Sequence, residues 1–182
     1  MNLPASVAGR ERARLFCALR FPDEVLDAIE AWGSDHLAER VVRRPNLHIT
    51  LAFLGHRPVG ELDAIAAATR EAASAARAIR LEPVRYREMR SVGMLVLADE
   101  GGSATALAED LHGHLEAAGV YKRDARTWLP HLTVVRFGSR PRLDPPVPPL
   151  GPFSPSDAAV YLSRLSPSGA QYDVVESFAL GG

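Results

Sequence analysis

Large apolar residues at positions 47, 49, 51 and 53 alternate with His48, Thr50 and Ala52, the period of two expected of a half-buried β-strand. Strict alternation assigns Leu47, Ile49, Leu51 and Phe53 to one face and leaves His48 and Thr50 together on the other. At a rise of roughly 3.3 Å per residue these two polar side chains start roughly 6.6 Å apart, within reach of different atoms of one phosphate-sized group. The same order returns at Pro130-His131-Leu132-Thr133-Val134-Val135-Arg136-Phe137-Gly138, again with Thr two residues and Gly seven residues beyond the histidine. One copy is weak; the doubling in matching strand contexts carries the inference.

The remaining pattern alternates strands with helices. Residues 1–11 read as a frayed terminus, and 12–20, with Leu15, Phe16, Cys17, Ala18 and Leu19, as a central strand. Pro22 and Asp23 suit a helix start, with Val25, Leu26, Ile29 and Trp32 as its buried stripe to about Leu37. Val41 and Val42 make a short strand, 55–60 a turn, and the alanine-rich run 61–78 a helix. Strands over 80–86 and 92–98 flank a turn at 88–91. Ser103 is a candidate cap for a third helix bearing Leu107, Leu111 and Leu115 and stopped by Gly119. The proline-rich stretch 139–155 predicts a stiff loop that either borders a cleft or merely crosses over. Strands over 158–165 and 172–180 surround a turn at 166–169. The order predicts an α+β protein of two related lobes.

Length and composition narrow the setting. At 182 residues and 47% apolar content the chain can bury a real core, as one large domain or two closely packed lobes. A formal charge of −1 excludes a uniformly cationic surface, so any nucleic-acid contact comes from local basic patches. Lys122 is the sole lysine; arginine suits bidentate phosphate contacts, and a genomic codon bias explains the same count equally well. The lone Cys17 reads as a small buried hydrophobe. No stretch approaches eighteen uninterrupted apolar residues and no signal segment precedes Arg10, so no membrane partner is expected and the expected location is cytoplasmic.

Two equivalent strands from two similar halves are expected to bring two imidazoles and two hydroxyls to one cleft. Imidazole titrates near neutrality, so one ring accepts a proton while the other donates one. The hydroxyls of Thr50 and Thr133 donate to phosphate oxygens. This set suits in-line displacement at a phosphodiester. Arg136 is a weaker candidate, because strict alternation places it on the face opposite His131 and Thr133 unless a bulge turns it back. Arg40, Arg43 and Arg44 precede the first motif, and Lys122, Arg123 and Arg126 the second; each run is either a solvated face or a basic rim. His112 and His114 read as surface residues, Trp32 as core, and core packing is the better reading of Phe16 and Phe53 than base stacking. No clustered Cys, His or carboxylate set accompanies the histidines, so no metal or cofactor is expected.

The chain resembles the two-histidine (2H) phosphoesterases, and among them the bacterial RNA 2',3'-cyclic phosphodiesterases also called 2'-5' RNA ligases. The likeness rests on Arg14-Leu-Phe-Cys-Ala-Leu19 with Pro22, Arg44-Pro-Asn-Leu-His-Ile-Thr-Leu51 with Phe53-Leu-Gly55, and Pro130-His-Leu-Thr-Val134 with Arg136. The closing Val160-Tyr-Leu-Ser-Arg-Leu165, Tyr172 and Glu176-Ser-Phe-Ala-Leu180 also fit. The resemblance implies a single domain over 1–182, built of two pseudo-symmetric α/β lobes whose antiparallel sheets flank a central cleft. It implies hydrolysis of RNA 2',3'-cyclic phosphate ends to 2'-phosphomonoesters without a metal, with His131 as general base and His48 as general acid. No obligate protein partner is implied. Joining RNA ends through a 2'-5' bond, or acting on another small cyclic or 2'-linked phosphate, would use the same four groups. A non-catalytic RNA-phosphate-binding module is the alternative of another class; it calls for an extended basic or aromatic platform.

Overall fold

The strand Arg12–Leu19 (β1) is almost wholly buried because it lies inside a sheet, between Ile49–Pro58 (β2) and Asp157–Ser166 (β6). Its run of Leu15, Phe16, Cys17, Ala18 and Leu19 faces protein on both sides, which removes the alternation a half-exposed strand would show. Gly169–Ala179 (β7) completes this four-stranded sheet in the order β2-β1-β6-β7. Leu81–Glu88 (β3), Val92–Asp99 (β4) and His131–Arg136 (β5) form a second sheet in the order β3-β4-β5. Every strand pairing is antiparallel. The computed structural model describes residues 11–37, 40–123, 125–166 and 169–182.

Among the described residues three α-helices complete the α+β architecture: Asp23–His36 (α1), Leu62–Ala75 (α2) and Ser103–Ala117 (α3). The small face of α2, with Ile65, Ala66, Ala72 and Ala73 buried, lets it lie against α3 and the strands β6 and β7. α3 presents Leu107, Leu111 and Leu115 to the core and reaches β2 and β4. One apolar cluster draws on both sheets. Cys17 is fully buried in it beside Thr69, and burial pushes its thiol up to about 12, which makes it a packing residue.

Four local expectations differ from what is observed. The turn expected at 55–60 begins later: β2 runs to Pro58, paired with β1 out to Arg12, and Gly55 stays in the strand at φ 69°. A short turn at Val59–Glu61 then leads into α2. That helix ends at Ala75, where the chain turns extended toward β3. Ser103 is the first residue of α3 and makes no capping bond. Asp99 caps the helix instead, accepting from the backbone N–H of Ala104 at 3.1 Å and Thr105 at 2.8 Å. His112 is buried, its Nε2–H donating to the Leu51 carbonyl at 2.8 Å, because α3 lies directly over β2. His114 does sit at the surface, against Glu71 and Asp110.

The proline-rich stretch carries no helix, yet it is tied down at several points. Buried Trp32 donates its indole N–H to the Pro146 carbonyl at 2.8 Å, and Phe153 exchanges backbone bonds with Leu81. Glu88, whose side chain is only 2% exposed, accepts from the backbone N–H of Arg142 and Leu143 and from the Arg140 guanidinium. Burial alone would raise its pKa; those donors more than offset it and hold the carboxylate below its ordinary range. Residues 1–10, and Pro167 and Ser168 of the expected last turn, lie outside the described residues.

Candidate active site

The two motif strands, β2 and β5, are edge strands of different sheets that pack beside each other. Each carries a β-bulge at the same place. In β2, Cys17 pairs with Ala52 and Ala18 with Thr50, leaving Leu51 extra; in β5, Gly93 pairs with Val135 and Met94 with Thr133, leaving Val134 extra. Both bulged residues lie three positions beyond their histidine. A single extra residue inverts the alternation downstream, so Ala52 and Val135 turn inward with the core.

The consequence is a site richer than strict alternation allows. His48, Thr50, His131, Thr133 and Arg136 all line one open cleft of about 860 Å³. The bulge at Val134 returns Arg136 to the face of His131 and Thr133, resolving the objection that alternation raised against it. The bulge at Leu51 does the same to Phe53, which is 50% exposed on the cleft wall and not part of the core as expected. Arg14 lies over its ring, 4.8 Å from the centroid, and donates to Ser163 Oγ at 3.0 Å. Phe16 is core, stacked on Tyr161 at 4.8 Å and supporting the His48 ring at 4.8 Å.

Matching hydrogen bonds orient the two imidazoles. His48 Nδ1 lies 2.7 Å from the Asn46 carbonyl, and His131 Nδ1 lies 2.8 Å from the Leu129 carbonyl, in each case two residues upstream. A carbonyl only accepts, so Nδ1 carries the hydrogen and Nε2 is left as the atom that exchanges protons. His48 is also enclosed by Phe16, Tyr161 and the edge of Tyr172. This burial pushes its pKa down to about 4; the Asn46 carbonyl opposes the shift, while the charges of Arg136 and His131 reinforce it.

That shift has a stability consequence. An unfolded chain takes up a proton at His48 near pH 6.5, whereas the folded chain refuses it until about pH 4. The stability linked to neutral His48 is therefore complete above pH 6.5 and is lost as pH falls toward 4. With allowance for solvent in the open cleft, the loss is about 2 kcal/mol. Urea denaturation at pH 7 and pH 4.5 is expected to show wild type losing about 2 kcal/mol more than His48→Phe. Equal losses would remove His48 as the source.

Two residues that the pattern did not assign to the site hold the motif strands in place. Trp128, three residues before His131, donates its indole N–H to the Thr50 carbonyl at 2.9 Å. His112 takes the adjacent Leu51 carbonyl. Together they pin the bulge of β2 to the segment entering β5 and to α3. Both signals are tertiary, so neither role stands out in the sequence.

The basic runs divide. Arg40 and Arg43 line the cleft, but Arg44 turns away to Asp23, Asp27 and Glu30 on α1. Arg123 pairs with Glu116, and Lys122, Arg123 and Arg126 are not among the residues that line the cleft. Among the described residues, no group of three or more His, Cys, Asp or Glu side chains gathers as a metal-ligand set. No described helix is long and apolar enough to cross a membrane.

A family model for the 2'-5' RNA ligase superfamily matches residues 21–160, which includes both motif strands and all three helices. The chain belongs to the 2'-5' RNA ligase superfamily. This superfamily member is similar to the RNA 2',3'-cyclic phosphodiesterase of Escherichia coli strain K12, 25% identical over 173 residues, or 93% of this chain and 98% of that protein. The crystal structure of TT0787 from Thermus thermophilus is 30% identical, covers 93% of this chain and 98% of that one, and superposes with a TM-score of 0.76. E. coli LigT complexed with 3'-AMP shares the fold at 23% identity and a TM-score of 0.79, over 94% of this chain and all of that one.

Proposed function

We propose that this protein hydrolyses RNA 2',3'-cyclic phosphate ends to 2'-phosphomonoesters by histidine acid-base catalysis. The observation that carries the reading is the convergence of two bulged His-x-Thr strands, from two sheets, on one cleft with their Nε2 atoms left for proton exchange. Membership in the superfamily and the activity for which the E. coli relative is named support the same substrate class.

In the proposed step, water attacks phosphorus and gives its proton to Nε2 of His131. The bond from phosphorus to the ribose 3'-oxygen breaks, and that oxygen takes the proton from Nε2 of His48, leaving the phosphate on the 2'-oxygen. Thr50, Thr133 and Arg136 hold the non-bridging oxygens as their charge redistributes. Solvent exchange then resets both rings.

His48 is neutral in the free protein at pH 7, so the acid role requires a proton to arrive with the substrate. An anionic phosphate cancels the field of Arg136 and accepts from protonated Nε2, and both effects raise the His48 pKa. Proton NMR titration is expected to place His48 near 4 in the free protein and higher with 3'-AMP bound. No upward shift would favour the reversed roles, with His48 as base.

The direct test is turnover of a short RNA ending in a 2',3'-cyclic phosphate, read by appearance of the 2'-phosphate. Both proton transfers fall to imidazoles, so EDTA is expected to leave the rate unchanged. Loss on chelation, restored by one added metal, would replace this reading with a metallo-phosphodiesterase. A panel that includes RNA 5'-hydroxyl ends and other 2'-linked phosphates separates hydrolysis from 2'-5' joining.

A further inference from the structure

A second concavity, of about 410 Å³, adjoins the cleft and shares Arg40 and Arg136 with it. Beyond those two side chains its walls are mostly apolar, with Phe137, Pro141 and Leu143 prominent. We propose that this groove holds the nucleotide preceding the cyclic end, with Arg40 on its linking phosphate, so that the preferred substrate is an oligonucleotide and not a mononucleotide. The proposal deepens the function argued above and rests on it.

Both walls are fixed by contacts already in the fold. The segment bearing Arg40 lies along the free edge of β5: the Arg40 carbonyl accepts from Arg136 N–H at 3.1 Å, and Val42 N–H donates to the Val134 carbonyl at 2.9 Å. Arg40 itself takes φ 56°, in the left-handed region that a non-glycine residue adopts at a cost. The edge pairing therefore fixes the Arg40 backbone beside that of Arg136, and both residues line the cleft and the groove. The facing wall belongs to the start of the proline-rich stretch. It is irregular, yet Glu88 binds the N–H groups of Arg142 at 3.0 Å and Leu143 at 2.7 Å, fixing the backbone behind Pro141.

The charge pattern selects the occupant. Arg140, by the same groove, is paired with Glu88, whereas among the described residues no carboxylate pairs with Arg40 or Arg136. Two guanidiniums without a carboxylate partner among the described residues, between a catalytic cleft and an apolar groove, match an anion followed by an aromatic or aliphatic body. An RNA strand presents that sequence at each nucleotide: a phosphate, then a sugar with a base that packs on apolar and aromatic surface. Because a 2',3'-cyclic end has further nucleotides only on its 5' side, the occupant is the penultimate nucleotide.

The test compares adenosine 2',3'-cyclic phosphate with the ApA dinucleotide ending in a 2',3'-cyclic phosphate, using the full chain and its Arg40→Asn and Arg40→Glu variants. Asn is chosen because it tolerates positive φ, and unchanged thermal midpoints verify folding. Wild type is expected to favour the dinucleotide by about tenfold in kcat/KM, the worth of one charge-assisted contact. Arg40→Asn should remove that preference through a loss on the dinucleotide about tenfold larger than any loss on the mononucleotide, and Arg40→Glu should reverse it. Equal losses on both substrates, or no change on either, would overturn the proposal. Calorimetric binding of 3'-AMP and of ApA 3'-phosphate keeps the two readings apart. Arg40-dependent tighter binding of the dinucleotide without turnover would uphold the groove and sink the catalytic reading. Turnover with no dinucleotide preference would do the opposite.

Discussion

Replacing either His48 or His131 with alanine is expected to lower kcat/KM on a 2',3'-cyclic phosphate end by about 10²- to 10⁴-fold, the usual cost of losing a positioned acid or base. The two losses should differ in kind. Attack requires deprotonation of water, whatever the leaving group, so His131→Ala should stay slow on every substrate. Departure of a ribose oxygen requires a proton, but departure of a nitrophenolate does not. A 2'- or 3'-nitrophenyl phosphodiester is therefore expected to rescue His48→Ala more than His131→Ala. Rescue of His131→Ala alone would exchange the roles, and wild-type turnover in both variants on the cyclic end would end the paired-histidine mechanism. The wild-type pH profile of kcat/KM should fall at both extremes, because the active form needs one ring protonated and the other neutral. Its two limbs belong to the coupled pair and not to either ring alone.

Much of this site was legible in the residue pattern, and the places where it was not share one cause. Period-two alternation located His48 with Thr50 and His131 with Thr133, because those four residues precede the bulges. Alternation then failed at Phe53 and Arg136, both of which follow one. Leu51 and Val134 are ordinary strand residues, and nothing in their type marks an extra position. The β5 bulge lies opposite Gly93 and Met94, and Gly93 has no room for a Cβ, which would fall 2.6 Å from Val135 and 2.0 Å from Tyr86. His112 and Trp128 were missed for a related reason. Each is defined by a β2 carbonyl brought to it from far along the chain. The same limit divides Arg40 and Arg43 from Arg44: adjacent charges on one short segment diverge once α1 offers three carboxylates to one of them.

Thr50→Ala and Thr133→Ala are each expected to lower kcat/KM by about 10²- to 10³-fold, equivalent to about 2.7 to 4 kcal/mol for a well-placed donor to developing charge. Both hydroxyls sit half-buried in the cleft, two residues from a histidine and one residue before a bulge, so each is held by paired backbone on its own strand. Solvent in the open cleft can replace part of the lost bond, which puts the expected values toward the lower end. Thr→Val separates donor from shape: it keeps the branched side chain and removes only the hydroxyl, so it should match Thr→Ala. The pattern across parameters distinguishes catalysis from mere binding. A threonine that stabilises the transition state lowers kcat with little change in KM, whereas one that only holds phosphate raises KM and leaves kcat alone. The double variant should lose less than the product of the two single losses, since both donors act on one phosphate and share its reorientation. Unchanged kcat/KM in both single variants would remove the threonines from the site and leave Arg136 to hold the non-bridging oxygens.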